Sequence, residues 1–156
     1  FRSTGGFSIS VTDYWFNGGP GYFHYGSHNT NHTFEAQIGY DFGPLALNWY
    51  TNFAGTDGVN NEGDRAYSSY ISATVPFTLA GLEWTAEIGA TPWATDFYNY
   101  SEDPVCNGSN GFAVCDISLG AAKEIRITDS FSVPAFAKVT VNPRTEGAYF
   151  VFGLSF

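Results

Sequence analysis

The sequence predicts an all-β protein, an antiparallel up-and-down meander of eight strands in one domain that covers residues 1–156. Three observations predict this fold class. Aromatic residues make up 19% of the chain and glycine supplies 18 of its 156 residues, which favours strands and tight turns over helices. Turn signals divide the chain into segments whose connecting loops alternate between long and short. Within the segments, apolar and polar residues alternate with the period of two that a strand requires.

The first four segments are bounded by stretches rich in glycine, proline, asparagine and aspartate. They cover residues 6–16, 33–42, 45–53 and 65–77. Long polar loops at 17–31 and 55–64 follow the first and third segments, whereas a Gly-Pro turn at 43–44 joins the second to the third. The pattern therefore predicts that the second and third segments form a hairpin with a long loop on either side.

The last four segments continue the same rhythm. They cover residues 82–93, 112–128, 131–142 and 148–156. The longest loop, 94–111, separates the fifth segment from the sixth. Short turns at 79–81 and 129–130 and a medium one at 143–147 close the hairpins. Long loops thus lie at one end of the meander and tight turns at the other.

The two faces of the strands differ in charge. In the second segment, Phe34 and Ile38 alternate with Glu35 and Gln37. Over the five segments with the clearest alternation, the apolar face carries no charged residue and the opposite face carries five. A soluble barrel buries its apolar face, whereas a transmembrane barrel turns that face to lipid and keeps polar groups in its lumen.

Three features favour a transmembrane barrel over the alternative, a soluble lipocalin-like ligand-binding barrel. The polar face is poor in Lys and Glu but carries Gly and Tyr, as a crowded lumen does. The alternating stretches of the second, third and fifth segments have about 9–11 residues, enough to cross a bilayer when tilted. Aromatic residues also gather near both ends of the apolar face, as in the girdles of membrane barrels. They are Phe42, Phe77, Phe131 and Phe156 at the tight-turn end and Trp15, Phe34, Phe53 and Tyr67 towards the long loops.

Charge and motifs exclude other function classes. The chain has 15 Asp and Glu against 6 Lys and Arg, a formal net charge of −9, so it lacks the basic surface that binds nucleic acid. It contains no apolar run of about 18 residues that would form a transmembrane helix. No nucleophile elbow is present either. The sequence predicts neither an enzyme nor a bound cofactor.

Eight ionisable residues define the candidate site, a polar network in the lumen. They are Glu35, Asp41, Glu83, Glu87, Asp116, Glu124, Arg126 and Lys138. Because a buried carboxylate needs a partner, we expect Arg126 and Lys138 to pair with these acids. The network has a structural interpretation, as the filling of a narrow barrel. It also has a functional one, as a weakly cation-selective constriction, since acids outnumber bases.

Lys123 does not fit the alternation. Strict alternation places it on the apolar face, where a lysine at the bilayer midplane costs about 2–4 kcal/mol. Either its side chain reaches the nearby tight-turn interface, which we favour, or a bulge at Ala121-Ala122 resets the register.

Two groups of possible metal ligands are weak. His24, His28 and His32 are spaced by four, which would share a helical face, but their Gly- and Asn-rich surroundings disfavour a helix. The loop at 57–64 carries acids and amides without the spacing of a calcium loop. We therefore predict no metal site.

The two cysteines, Cys106 and Cys115, lie close together around a polar stretch. In an oxidising compartment such a pair forms a small loop-closing disulfide, which we predict at the long-loop end. Two reduced thiols are the alternative.

The last segment resembles the C-terminal targeting strand of Gram-negative outer-membrane barrels. Large apolar residues alternate up to a final phenylalanine: Phe150, Phe152, Leu154 and Phe156. Further stretches at 6–15, 32–35, 49–55 and 121–132 resemble TorF-like putative porins, and the similarity covers nearly the whole chain.

This resemblance implies a protein of the bacterial outer membrane. Its partners would be outer-membrane lipid, the barrel-assembly machinery and, as further candidates, other outer-membrane proteins. Since family members usually carry more strands before the first segment, we expect the eight strands to be the C-terminal part of a barrel of about twelve. The expected function is a narrow porin-like channel or a structural barrel without catalysis.

Overall fold

The computed structural model describes residues 6–16, 18–19, 21–26, 29–98 and 111–155. Eight strands follow one another along the chain and form one sheet. They are β1 (Phe7–Trp15), β2 (His32–Asp41), β3 (Ala46–Gly55), β4 (Ser69–Leu79), β5 (Leu82–Thr91), β6 (Ala113–Thr128), β7 (Phe131–Asn142) and β8 (Gly147–Leu154). The predicted all-β meander of eight strands is confirmed. No helix in the described part of the chain is long and apolar enough to span a membrane.

Each strand pairs antiparallel with the next, in the order β1 to β8. Among the described residues β1 pairs only with β2 and β8 only with β7, so the sheet is not closed there. The β4–β5 hairpin shows how a short turn fixes the register. Ala80 (φ 53°) and Gly81 (φ 73°) are both left-handed, the geometry of the two-residue turn that matches strand twist.

Alternation predicts the strand bounds well except at β4, which begins at Ser69 rather than at residue 65. The reason is local. Tyr67 has a left-handed backbone (φ 47°), and the Ser68 amide donates to Asp57, 3.1 Å away, instead of to a neighbouring strand. Residues 65–68 therefore belong to the loop.

Two bulges interrupt the ladders near the long loops. Glu35 pairs with Asn52 and Phe34 with Ala54, so Phe53 is the extra residue of β3. Gly89 pairs with Asp116 and Ala90 with Val114, which makes Cys115 the extra residue of β6.

The β6–β7 hairpin extends beyond its neighbours at the tight-turn end. The last β5 pair joins Glu83 to Ala122, and the last β8 pair joins Leu154 to Ala135. The ladder is unbroken at Ala121-Ala122, so the bulge considered for Lys123 does not form. Lys123 is exposed and lies one residue past the end of the β5 pairing, at the base of the projecting hairpin.

The distribution of apolar and polar side chains is inverted relative to a soluble protein. Among the described residues, ten buried side chains are polar or charged and only four are apolar. Consecutive residues of β6 show the contrast, since Ile117, Ser118 and Leu119 are 46%, 4% and 45% exposed. We call the side that carries Ser118 the polar face and the side that carries Leu119 the apolar face.

Candidate functional site

Glu35 is the centre of the contacts on the polar face. Its side chain is 9% exposed, and its carboxylate accepts two phenol hydrogen bonds of 3.2 Å. One comes from Tyr14 on β1, and the other from Tyr98, 63 residues along the chain. Tyr98 is therefore the residue that brings a distant loop onto the polar face.

The segment 92–98 is fixed against the loop at 57–68. The Val59 amide donates to the Asp96 carboxylate at 2.8 Å, and the Trp93 indole donates to the Ala66 carbonyl at 2.9 Å. The buried hydroxyls of Ser68 and Thr95 are 2.6 Å apart. These contacts hold Tyr98 in place over Glu35.

The environment of Tyr98 favours its neutral form. Burial, and next the negative charge of Glu35, raise the pKa of the Tyr98 phenol above its ordinary value. Because the neutral phenol keeps its proton, the Tyr98 hydroxyl can donate a hydrogen bond to the Glu35 carboxylate.

Asp57 organises the adjoining loop. Its carboxylate accepts from the Asn52 side-chain amide at 3.1 Å and from the Gly58 amide at 2.8 Å, and it lies 3.6 Å from the Arg65 guanidinium. The side chain of Asp57 is only 2% exposed. Asp57 thus binds the backbone and side chains of its own loop and of β3.

Nearer the tight-turn end, the polar face is filled by rings and amides. The Tyr70 ring lies beside the tilted rings of Tyr50 and Tyr98, at centroid distances of 6.0 and 5.7 Å, and its hydroxyl lies over Gly89. A Cβ at Gly89 would lie 1.9 Å from that hydroxyl oxygen. Gln37 donates to Asn48 at 3.1 Å.

Two other predicted site acids bind hydroxyls. Glu87 accepts from Thr74 at 2.9 Å, and Asp116 accepts from Ser118, whose hydroxyl also lies 2.9 Å from that of Thr140. Together with Glu35 these acids come from β2, β5 and β6 and lie on one face, as the alternation predicts.

The predicted basic partners lie elsewhere. Arg126 pairs with Asp129 in the β6–β7 turn rather than with an acid of the polar face, because the projecting hairpin carries it away from the other strands. Lys138 is exposed, and it forms no ion pair with another described residue. Glu83 and Glu124 are also exposed near the tight-turn end, and Asp41 caps the β2–β3 turn by accepting from the Gly43 amide at 2.7 Å.

His32 is buried at the long-loop end of the apolar face. Its Nδ1 lies 2.8 Å from the Asp13 carboxylate, and its Nε2 contacts the Tyr22 carbonyl. The Tyr25 ring stacks on the imidazole at a centroid distance of 4.3 Å. Both ring nitrogens are thus occupied by protein acceptors. Within the described ranges, no group of three or more His, Cys, Asp or Glu residues could hold a metal ion.

Sequence reasoning missed Tyr98, Asn52 and the Asp13–His32 pair. Tyr14 and Asn52 lie at positions that alternation assigns to the polar face, so their side could be predicted but not their partners. Cys115 is buried, whereas Cys106, His28 and Phe156 lie outside the described residues. The Cys106–Cys115 disulfide therefore stays a prediction.

Comparisons of the chain with models of protein families, with curated proteins and with solved structures found no match. The similarity to TorF-like porins accordingly stays an expectation from the sequence.

Proposed function

We propose that the chain forms part or all of a transmembrane β-barrel of a bacterial outer membrane, with the apolar face in lipid and the polar face lining a narrow lumen. Inverted burial carries this proposal. Leu119 and Ile117 are nearly half exposed while Ser118 between them is buried, and lipid is the medium in which that arrangement is favourable.

The apolar face also has the banding of a membrane barrel. Aromatic residues such as Phe42 and Phe77 are exposed near the tight turns, and Trp15 and Phe53 near the long loops. Aliphatic residues such as Leu119 lie between the two bands. A lipocalin-like barrel would instead need these side chains inside, so burial disfavours that alternative.

Within this proposal the barrel acts as a porin-like channel or as a structural element, without catalysis. The polar face supports a channel through Glu35, Glu87 and Asp116, which form no ion pair within the described ranges and would favour cations over anions. Outer-membrane lipid is the proposed partner of the apolar face. The exposed Phe150, Phe152 and Leu154 of β8 are the proposed contact with the barrel-assembly machinery, and they agree with the resemblance to TorF-like porins.

Quenching by brominated lipid tests the membrane proposal. In a variant that keeps Trp49 and replaces Trp15, Trp84 and Trp93 by Phe, we expect strong quenching by brominated acyl chains, because Trp49 is 38% exposed on the apolar face. A folded monomer in detergent-free buffer, unquenched by the lipid, would contradict the proposal. Flux of small cations into vesicles then separates a channel from a structural barrel.

A further inference from the structure

Glu35 is a buried carboxylate for which the described part of the chain provides no cationic partner. Among the described residues, ion pairs join His32 to Asp13, Arg65 to Asp57 and Arg126 to Asp129, and none includes Glu35. Its two phenol contacts are 3.2 Å long, beyond the usual range for an O–H donor. A carboxylate that is 9% exposed and held this weakly needs a further donor or a positive charge.

Asn52, next to Glu35, also has a buried acceptor atom that lacks a hydrogen-bond donor within the described part of the chain. Its side chain is 1% exposed, and its Oδ1 has no hydrogen-bond partner among the residues that the structure describes. The amide orientation is fixed, because Nδ2 donates to the Asp57 carboxylate at 3.1 Å and a flipped amide would place oxygen against oxygen. Asn52 stands directly opposite Glu35 in the β2–β3 ladder, on the same face.

The Glu35 carboxylate and Asn52 Oδ1 both accept hydrogen bonds, and a carboxylate also attracts positive charge. A primary ammonium group carries three N–H donors and a positive charge, so it can satisfy the Glu35 carboxylate and Asn52 Oδ1 together. A metal ion fits less well, since no group of three ionisable ligands forms among the residues that the structure describes.

We propose that Glu35 and Asn52 form a subsite for the primary ammonium group of a small solute. The inference rests on the proposed function, which makes the polar face the lining of a passage, and it names amines as the substrate class of that passage. The neighbouring cation, Arg65, donates through Nη1 to the Gly55 carbonyl at 2.8 Å, and its Nε lies 3.6 Å from the Asp57 carboxylate.

Calorimetric titration of the folded chain with n-butylammonium chloride at constant ionic strength tests the subsite. We expect saturable binding, with no comparable binding of sodium or of tetramethylammonium, which lacks N–H donors. Glu35→Gln keeps the shape of the side chain and removes the charge, and we expect it to weaken binding about tenfold to a hundredfold. The matched control is Glu83→Gln, an exposed acid near the tight turns, which should bind as the parent does.

Nuclear magnetic resonance of the parent chain supplies a readout that needs no variant. Saturating butylammonium should shift the Asn52 side-chain amide resonances. Absence of saturable binding, equal binding of tetramethylammonium, or equal weakening by Glu83→Gln would overturn the subsite. The two proposals fail separately: a chain that inserts in lipid but does not bind butylammonium loses only the subsite. A chain that binds it but shows no quenching by brominated lipid keeps the ammonium subsite and loses the barrel, and with it the role of the subsite in a passage.

Discussion

Gly89 shows how a single residue controls the packing of the polar face. Its missing side chain leaves the space that the Tyr70 ring occupies, with the hydroxyl oxygen 1.9 Å from where a Cβ would lie. Gly120 lies on the same face, but its nearest neighbour atom would be 3.8 Å from a Cβ. The two glycines therefore differ in the space above them.

Gly89→Ala should lower the free energy of unfolding by about 1–3 kcal/mol, because the ring of Tyr70 must move. Gly120→Ala is the control and should have a much smaller effect. Denaturant titration of both variants measures the difference. In a Tyr70→Ala background the cost of Gly89→Ala should fall, and an unchanged cost there would contradict the packing explanation.

Tyr98 gives a prediction in pH. Since its pKa is raised in the folded chain, the folded state keeps the phenol proton at a pH where the unfolded chain has lost it. The stability from this group is therefore complete below about pH 10, the ordinary tyrosine value, and is lost as pH rises above it. Unfolding free energies measured on both sides of this pH should fall more steeply for the parent than for Tyr98→Phe. If the unfolding free energies of the two proteins fell equally steeply with pH, the pKa of Tyr98 would not be raised in the folded state.

At the scale of the strands, the sequence predicts those features that depend only on residues close together along the chain. Alternation gave eight strands and both faces, because period-two patterning is local. It placed β4 too early, since the contact between Ser68 and Asp57 is not visible in a pattern. The Tyr98–Glu35 contact spans 63 residues, and no local signal predicts such a distance in sequence. The bulges at Phe53 and Cys115 were missed for the same reason.

A pair of lysine substitutions on β6 tests which medium surrounds the apolar face. Leu119 and Ile125 are 45% and 43% exposed, so in water Leu119→Lys and Ile125→Lys should have similar, small effects. In a membrane, Leu119 lies mid-strand opposite Ala86 and Val139, whereas Ile125 lies on the projecting hairpin. We expect Leu119→Lys to cost about 2–4 kcal/mol and Ile125→Lys about 0–1 kcal/mol. Equal costs, measured by unfolding from lipid, would contradict the membrane proposal.

For the whole molecule, the question is what pairs with β1 and β8. A barrel in lipid leaves no sheet edge unpaired, so the proposed function requires both edges to be joined, to each other or to further strands. The meander places the two strands at opposite edges of the sheet. The expectation of about twelve strands favours further strands between them.

Crosslinking distinguishes these closures. In a background with Cys106 and Cys115 replaced by Ser, Val11→Cys with Phe152→Cys should not react with a short bismaleimide, because intervening strands would separate β1 from β8. Val139→Cys with Phe150→Cys, which are directly opposed in the β7–β8 ladder, is the positive control. Efficient crosslinking of the first pair would show that the eight strands close on one another.

The β6–β7 hairpin, finally, contains a boundary that deuterium can reveal. Beyond Ala122 and Ala135 its strands are paired with each other but no longer with β5 and β8 along their β-ladders. Amides within the lipid-covered part of β6 should exchange with heavy water only when the barrel opens, whereas those from Glu124 onward should exchange by fraying of the hairpin alone. Deuterium uptake along β6 should therefore rise in a step between Ala122 and Glu124, within one continuous strand. The position of that step would show where pairing with β5 stops protecting β6 from exchange.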